Sequence, residues 1–269
     1  MEVQHRRWLI TGASSGFGRA LAEAVLAEGD AVVATARRPA ALADIAGRRG
    51  ATVRALDVTD GEQVRDVVAE AVATGGVDVL VNCAGHGLIG ALEELTDAEF
   101  RGVMETNLFG ALAVTKAVLP HMRERGGGHI VQMSSMGGVS ANPGHAVYAT
   151  SKFALEGASE ALACEVAPFG IRVTIVEPGP FRTDFAGRSM LPSTPMAAYA
   201  GTPARGRPAI GSATRTACSR TTRPRARRRS SPRYGARPGR YGCRWARRPS
   251  PASAGSSNAS SPTWSRRWT

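Results

Sequence analysis

Trp8-Leu9-Ile10-Thr11-Gly12-Ala13-Ser14-Ser15-Gly16-Phe17-Gly18 is the stretch on which the reading of this chain turns. A short β-prone run ends in clustered glycines, and Ala20, Leu21, Ala24, Val25 and Ala27 then recur at helical spacing. Glycine tolerates positive φ and close backbone approach, so a strand–loop–helix of this kind can turn helix N-terminal N–H groups toward a pyrophosphate. A glycine cluster alone serves equally well as a packing turn. Its place between a first strand and a first helix makes it a candidate dinucleotide loop. No Lys-Ser/Thr pair follows the glycines, which disfavours a nucleotide-hydrolysing P-loop.

Five more β-rich runs follow, at Ala31–Thr35, Thr52–Leu56, Val77–Val81, His129–Met133 and Arg172–Val176. Helical patterns separate them; Val64, Val67, Val68, Ala71 and Val72 are one example. Several runs are apolar on both faces, as a parallel sheet covered by helices on both sides requires. The expectation is an α/β fold with a doubly wound parallel sheet of about six strands and right-handed crossovers. Ligands bind such sheets outside the carboxyl ends of the strands.

The second run bears on the cofactor. An acid about 20 residues after the loop usually meets the ribose hydroxyls of NAD. Here the run ends in Ala36-Arg37-Arg38, with no acid before Asp44, and Asp30 sits at the wrong end. Arg37 and Arg38 fit a 2′-phosphate, unless they are two solvated loop arginines. NADP(H) is therefore the expected cofactor and NAD(H) the alternative.

Tyr148 and Lys152 are four residues apart at the start of a helical stretch running to about Phe169, which puts both on one helix face. A neighbouring ammonium favours phenolate, moving a tyrosine toward acid–base work near neutral pH. Tyr-x-x-x-Lys is common by chance, and an ordinary surface pair would look the same. Ser135 lies 13 residues before Tyr148, just past the run His129–Met133, where its hydroxyl can meet a substrate carbonyl.

Taken together these residues resemble the short-chain dehydrogenase/reductase family over roughly residues 5–200. The likeness rests on Thr-Gly-x-x-x-Gly-x-Gly (Thr11, Gly12, Gly16, Gly18), Asp57-Val58, Asn82-Cys83-Ala84-Gly85, Asn107, Ser135, Tyr148-x-x-x-Lys152 and Pro178-Gly179. Cys83 departs from the family, which most often has Asn there. The resemblance implies a Rossmann-type domain and a carbonyl/alcohol oxidoreductase. Tyr148 would be the acid–base, Lys152 would tune it and bond the nicotinamide ribose, and Ser135 would orient the substrate oxygen. Asn107 would hold a relay water. Thr11, Gly12, Ser14, Ser15, Gly16, Phe17 and Gly18 would form the cofactor loop, with Asp57 and Val58 at the adenine. Asn82, Ala84 and Gly85 would support the cofactor, and Pro178, Gly179 and Thr183 would border the nicotinamide. His86 and His145 match no position the family requires and read as pocket lining or plain loop residues. Met190 and Leu191 fall in the variable substrate loop. Family members are usually homo-oligomers.

Composition sets the outer bounds. The 269 residues carry a net charge of +12, which resembles a nucleic-acid binder until it is divided. Residues 1–184 hold all 22 acids and 16 of the 34 Lys and Arg, a net −6, whereas the remaining 85 residues hold 18 Arg and no acid, a net +18. Four scattered cysteines without clustered histidines argue against a metal site or a disulfide framework and for a reducing, cytoplasmic setting. No apolar run approaches membrane length, and no signal-peptide core follows the N-terminus.

The domain is expected to span residues 1–202 and a basic low-complexity tail residues 203–269. From Arg205 onward, 65 residues contain 17 Arg, 11 Ser, 7 Pro and 6 Gly, and Ile210 is the only aliphatic larger than Ala. Such a segment cannot offset its ordering entropy by burial, so disorder is expected. A GC-rich gene read in the wrong frame would give this composition, and with suitable synonymous codons a shifted frame can be read as a strand and an amphipathic helix after Arg240. That origin is preferred over an evolved nucleic-acid-binding tail. The expected function is an NADP-dependent oxidoreductase acting on a small carbonyl/alcohol pair. The alternatives are a cofactor-binding but catalytically impaired remnant and, last, a nucleic-acid binder working through the arginines.

Overall fold

A computed structural model of the chain describes residues 5–179 and 189–205. Its centre is a six-stranded parallel sheet of β1 (Arg7–Thr11), β2 (Ala31–Ala36), β3 (Ala51–Ala55), β4 (Val79–Asn82), β6 (Gly128–Met133) and β7 (Ile171–Val176). Their spatial order is β3-β2-β1-β4-β6-β7, so the direction of winding reverses between β1 and β4. That reversal opens a crevice above the carboxyl ends of these two strands, the usual ligand site of such sheets.

Alternation along the strands explains the two covered faces. Leu9, Val33, Leu80 and Ile130 pack to one side with α3 (Gly61–Ala73), α5 (Ala111–Glu124) and the end of α6 (Ala146–Val166). Their neighbours Ile10, Val32, Ala34, Val79 and Val81 pack to the other side with α1 (Gly16–Ala27) and with Leu42 and Ile45, the latter from the short α2 (Ala43–Ala46). Each large apolar side chain so buried contributes about 1.5–3 kcal/mol relative to exposure. Helix starts are marked chemically: Asp60 caps α3 through Glu62 N and Gln63 N, and Thr96 with Glu99 forms a capping box on α4 (Asp97–Met104).

Two features lie outside the expected pattern. The helix begun by α4 widens into a π-helical segment over Glu105–Gly110 before α5, an irregularity that concentrates at functional sites. A second sheet pairs β5 (Gly87–Ile89) with β8 (Met190–Pro192) in parallel. Among the described residues, no helix is long and apolar enough to cross a membrane.

Candidate active site

The loop after β1 is shaped by its glycines. Gly12 has φ +65°, and a Cβ there would stand 2.7 Å from the backbone of Ala84. The first turn of α1 holds no acid, and its N-cap Ser15 makes no side-chain cap bond, so helix-start N–H groups are left for another acceptor. Ser14, Ser15, Gly16, Phe17 and Gly18 all line a cavity of about 620 Å³ running along the strand ends. Arg37 and Arg38, just beyond β2, are both exposed; Arg37 lines the cavity and Arg38 lies outside it. Asp57 and Val58 form the next stretch of wall; the Asp57 carboxylate accepts hydrogen bonds from Thr59 N at 3.0 Å and Thr59 Oγ1 at 2.8 Å.

Three expected contacts serve the scaffold behind this wall. Thr11 is buried, and its hydroxyl accepts from Cys83 N at 3.1 Å and Ala84 N at 3.2 Å. Asn82 Nδ2 donates to Ala111 O, Thr115 Oγ1 and Gln132 Oε1, tying β4 to α5 and β6. Asn107, within the π-helical segment, holds the His86 backbone from both sides: Nδ2 donates to His86 O at 2.7 Å, and Oδ1 accepts from His86 N at 2.9 Å. Its Nδ2 also reaches Ser151 Oγ at 3.0 Å. None of the three lines the cavity, whereas Cys83, Ala84, Gly85 and His86 do.

The reacting end is built from β6 and α6. Ser135 follows β6; its hydroxyl accepts from Gly137 N at 3.1 Å and bonds the Tyr148 hydroxyl. Lys152, buried one turn beyond Tyr148, donates from Nζ to Met133 O at 2.7 Å and sits 5.9 Å from the centre of the Tyr148 ring. Burial lowers the lysine to about 8, opposed by the charges of Cys83 and Glu156. Burial also raises the Tyr148 phenol above its ordinary value, and Ser135 draws it back. The spacing alone predicts a lowering by Lys152; the direction found for Tyr148 is upward, with burial as the largest cause. His86 is lowered by burial and then by Arg37. His145 also lines the cavity, as do Pro178 and Gly179; Thr183 lies outside the described residues.

Sequence reasoning missed the two glycines flanking the tyrosine. A Cβ on Gly137 would stand 3.1 Å from Tyr148 Cε1, and one on Gly87 would stand 3.0 Å from Cδ2 and 2.6 Å from Met190 Sδ. Neither has a positive φ, so no turn signal marks them. The outer wall is Ser189, Met190 and Leu191, held by a clasp. The buried Glu94 carboxylate pairs with Arg205 Nε at 2.9 Å and accepts from Met196 N and Ala91 N. Arg205 in turn reaches Ser193 O and Oγ.

The cavity fits a dinucleotide. Gly12 and Gly18, where a Cβ would strike backbone, an unneutralised helix start and Arg37 line it together with Ser135, Tyr148 and Lys152. A family model described as short chain dehydrogenase matches residues 6–191. The chain is 46% identical over 178 residues to a 3-ketodihydrosphingosine reductase of Bacteroides thetaiotaomicron, covering 66% of this chain and 64% of that protein. A short-chain dehydrogenase from Streptomyces avermitilis superposes with a TM-score of 0.70 at 51% identity, over 73% of this chain and 74% of that one. A gluconate 5-dehydrogenase from Burkholderia cenocepacia, in complex with NADP and tartrate, gives 0.65 at 32% identity, over 69% and 75%.

Proposed function

The chain belongs to the short chain dehydrogenase family, and from that premise we propose that it is an NADP(H)-dependent oxidoreductase interconverting a carbonyl and an alcohol. The observation that carries this reading is Ser135, Tyr148 and Lys152 meeting at the end of a glycine-lined dinucleotide cavity. A bound nicotinamide supplies or takes the hydride.

The residues of the chain do the rest. The Ser135 hydroxyl holds the substrate oxygen beside the Tyr148 phenol. In reduction Tyr148 gives its proton to that oxygen; in oxidation it takes the proton back. A phenol held above its ordinary value by burial is protonated at neutral pH, the state reduction needs. Lys152 is the cation beside the tyrosinate that follows proton transfer, and it would bond the ribose of a bound cofactor. Asn107 acts by fixing the His86 backbone on the cavity wall. Thr11 and Asn82 brace the loop that carries Cys83, Ala84 and Gly85.

Arg37 is the group for a 2′-phosphate, supported by the lack of an acid at the end of β2. Met136, Met190 and Leu191 give the substrate end an apolar wall, so the substrate is a ketone or alcohol on an apolar body. The relative named for 3-ketodihydrosphingosine supports that class. Scattered cysteines support a cytoplasmic setting.

Purified protein is expected to oxidise NADPH with apolar ketones, and Tyr148→Phe to lose about 10²–10⁴-fold in kcat while still quenching on NADPH binding. Full turnover by Tyr148→Phe would overturn the reading. NADPH binding without turnover across a broad ketone panel would favour a catalytically impaired member of the family.

A further inference from the structure

Tyr148, Lys152 and Glu156 follow one another at intervals of four on α6, stacked along one face. The segment Met133-Ser134-Ser135 at the end of β6 meets them one for one. Ser135 bonds Tyr148, Met133 O accepts from Lys152, and the Ser134 side chain lies against the Glu156 carboxyl. Two of these rungs are in the proposed chemistry, and the third has no role in it.

That third rung is built with care for space. Ser134 is 3% exposed and lines the cavity. Among the described residues, neither Ser134 Oγ nor Glu156 Oε1 has a hydrogen bond of ordinary geometry. Both sit where a side chain at 138 would go: a Cβ on Gly138 would stand 2.6 Å from Ser134 Oγ and 3.0 Å from Glu156 Oε1.

The neighbours decide what the carboxyl can do. Cys83 and Glu156 are the described residues whose charges favour the Lys152 ammonium. Burial pushes the Cys83 thiol up to about 12, so it is uncharged near neutral pH. Glu156, one helical turn from Lys152 on α6, is the carboxyl that favours the ammonium. It is itself raised by burial, lowered by Ser134, raised by Glu177 and Glu160, and lowered by Lys152.

We propose that Glu156, set by Ser134 and the missing side chain of Gly138, is a positioning residue that keeps Lys152 charged and so fixes the alkaline limit of the site. The proposal rests on Lys152 belonging to the site, yet its test needs no turnover. The chain has two lysines, Lys116 and Lys152, so one serves as internal reference for the other. Competitive acetylation of the intact apo protein against pH, read by peptide mass spectrometry, gives a wild-type Lys152 midpoint near 8.

Glu156→Gln is expected to lower that midpoint by about half a unit to one unit, as loss of a nearby opposite charge requires. Glu156→Ala, which leaves no amide to bury, gives the same shift should the glutamine variant fail to fold. Glu156→Asp recovers part of it. A purely structural glutamate would change unfolding temperature and leave the midpoint in place. A midpoint equal to wild type in the folded Gln or Ala variant overturns the proposal. A shifted midpoint in a protein that reduces no ketone would instead count against the oxidoreductase reading alone.

Discussion

Gly12→Ala and Gly16→Ala form a matched pair, because both glycines have positive φ, +65° and +56°, but only one is crowded. Placing alanine in the left-handed region costs about 1–2 kcal/mol at either site. At Gly16 that is the whole effect, since no atom lies within 4 Å of the added carbon. At Gly12 the carbon would stand 2.7 Å from Ala84 N and Cα, atoms held in place by the Thr11 hydroxyl. Forcing them apart adds about 1–3 kcal/mol, the range for overpacking a close-packed site. The expected destabilisation is thus roughly 1–2 kcal/mol for Gly16→Ala and roughly 2–5 kcal/mol for Gly12→Ala. In a domain of about 200 residues each kcal/mol lowers Tm by about 2–4 °C. The pair should therefore separate by about 2–12 °C in thermal unfolding followed by circular dichroism. NADPH binding, followed by fluorescence, should weaken more at Gly12 as the Ala84 wall shifts. Equal losses at the two positions, or a larger one at Gly16, would refute the close-approach argument.

Three other outcomes follow from the site. Lys152→Met should abolish turnover yet raise stability below pH 8. The folded-state value near 8 lies below the ordinary 10.5, so the unfolded chain binds the proton more tightly, and wild type gains stability as pH climbs between those values. The advantage of the variant, at most on the order of 3 kcal/mol, should disappear across that window in urea titrations; an advantage independent of pH would contradict it. Arg37→Asp should raise KM for NADPH by about tenfold or more and lower it for NADH, in steady-state assays with either cofactor; unchanged preference would remove Arg37 from 2′-phosphate recognition. Glu94→Gln should unfasten Arg205 and raise substrate KM by about tenfold with kcat largely kept, and a kcat loss with KM constant would show the clasp acting on chemistry.

Much of this was legible because it is local. Strand runs, the glycine loop and the Tyr148–Lys152 spacing all repeat over a few residues. The limits of β4 were less so: the run Val77–Val81 reads as strand, but Val77 N bonds His121 Nε2, a partner 44 residues away, and the strand begins at Val79. β5 and β8, three residues each, are too short to show a period. Thr11 and Asn82 carry the right motif, yet what their polar atoms bind depends on residues 29 to 73 positions away. Gly87 and Gly137 have ordinary backbones and matter only because an aromatic ring lies between them. Glu156 reads as one more polar residue on a long helix until Gly138 is seen to leave it room.

The clasp around Glu94 also divides the molecule energetically. Among the described residues, the segment carrying Ser189, Met190 and Leu191 is joined to the body by a three-residue ladder, the buried Glu94–Arg205 pair and a few hydrogen bonds to Ile89, Glu93 and Glu94, not by the six-stranded sheet. Amide exchange in β8 should accordingly proceed by a local opening that leaves β1 and β4 protected. Substrate choice and chemistry then reside in units of different stability. Exchange of residues 189–205 between relatives becomes a way to alter selectivity at little cost to the catalytic framework.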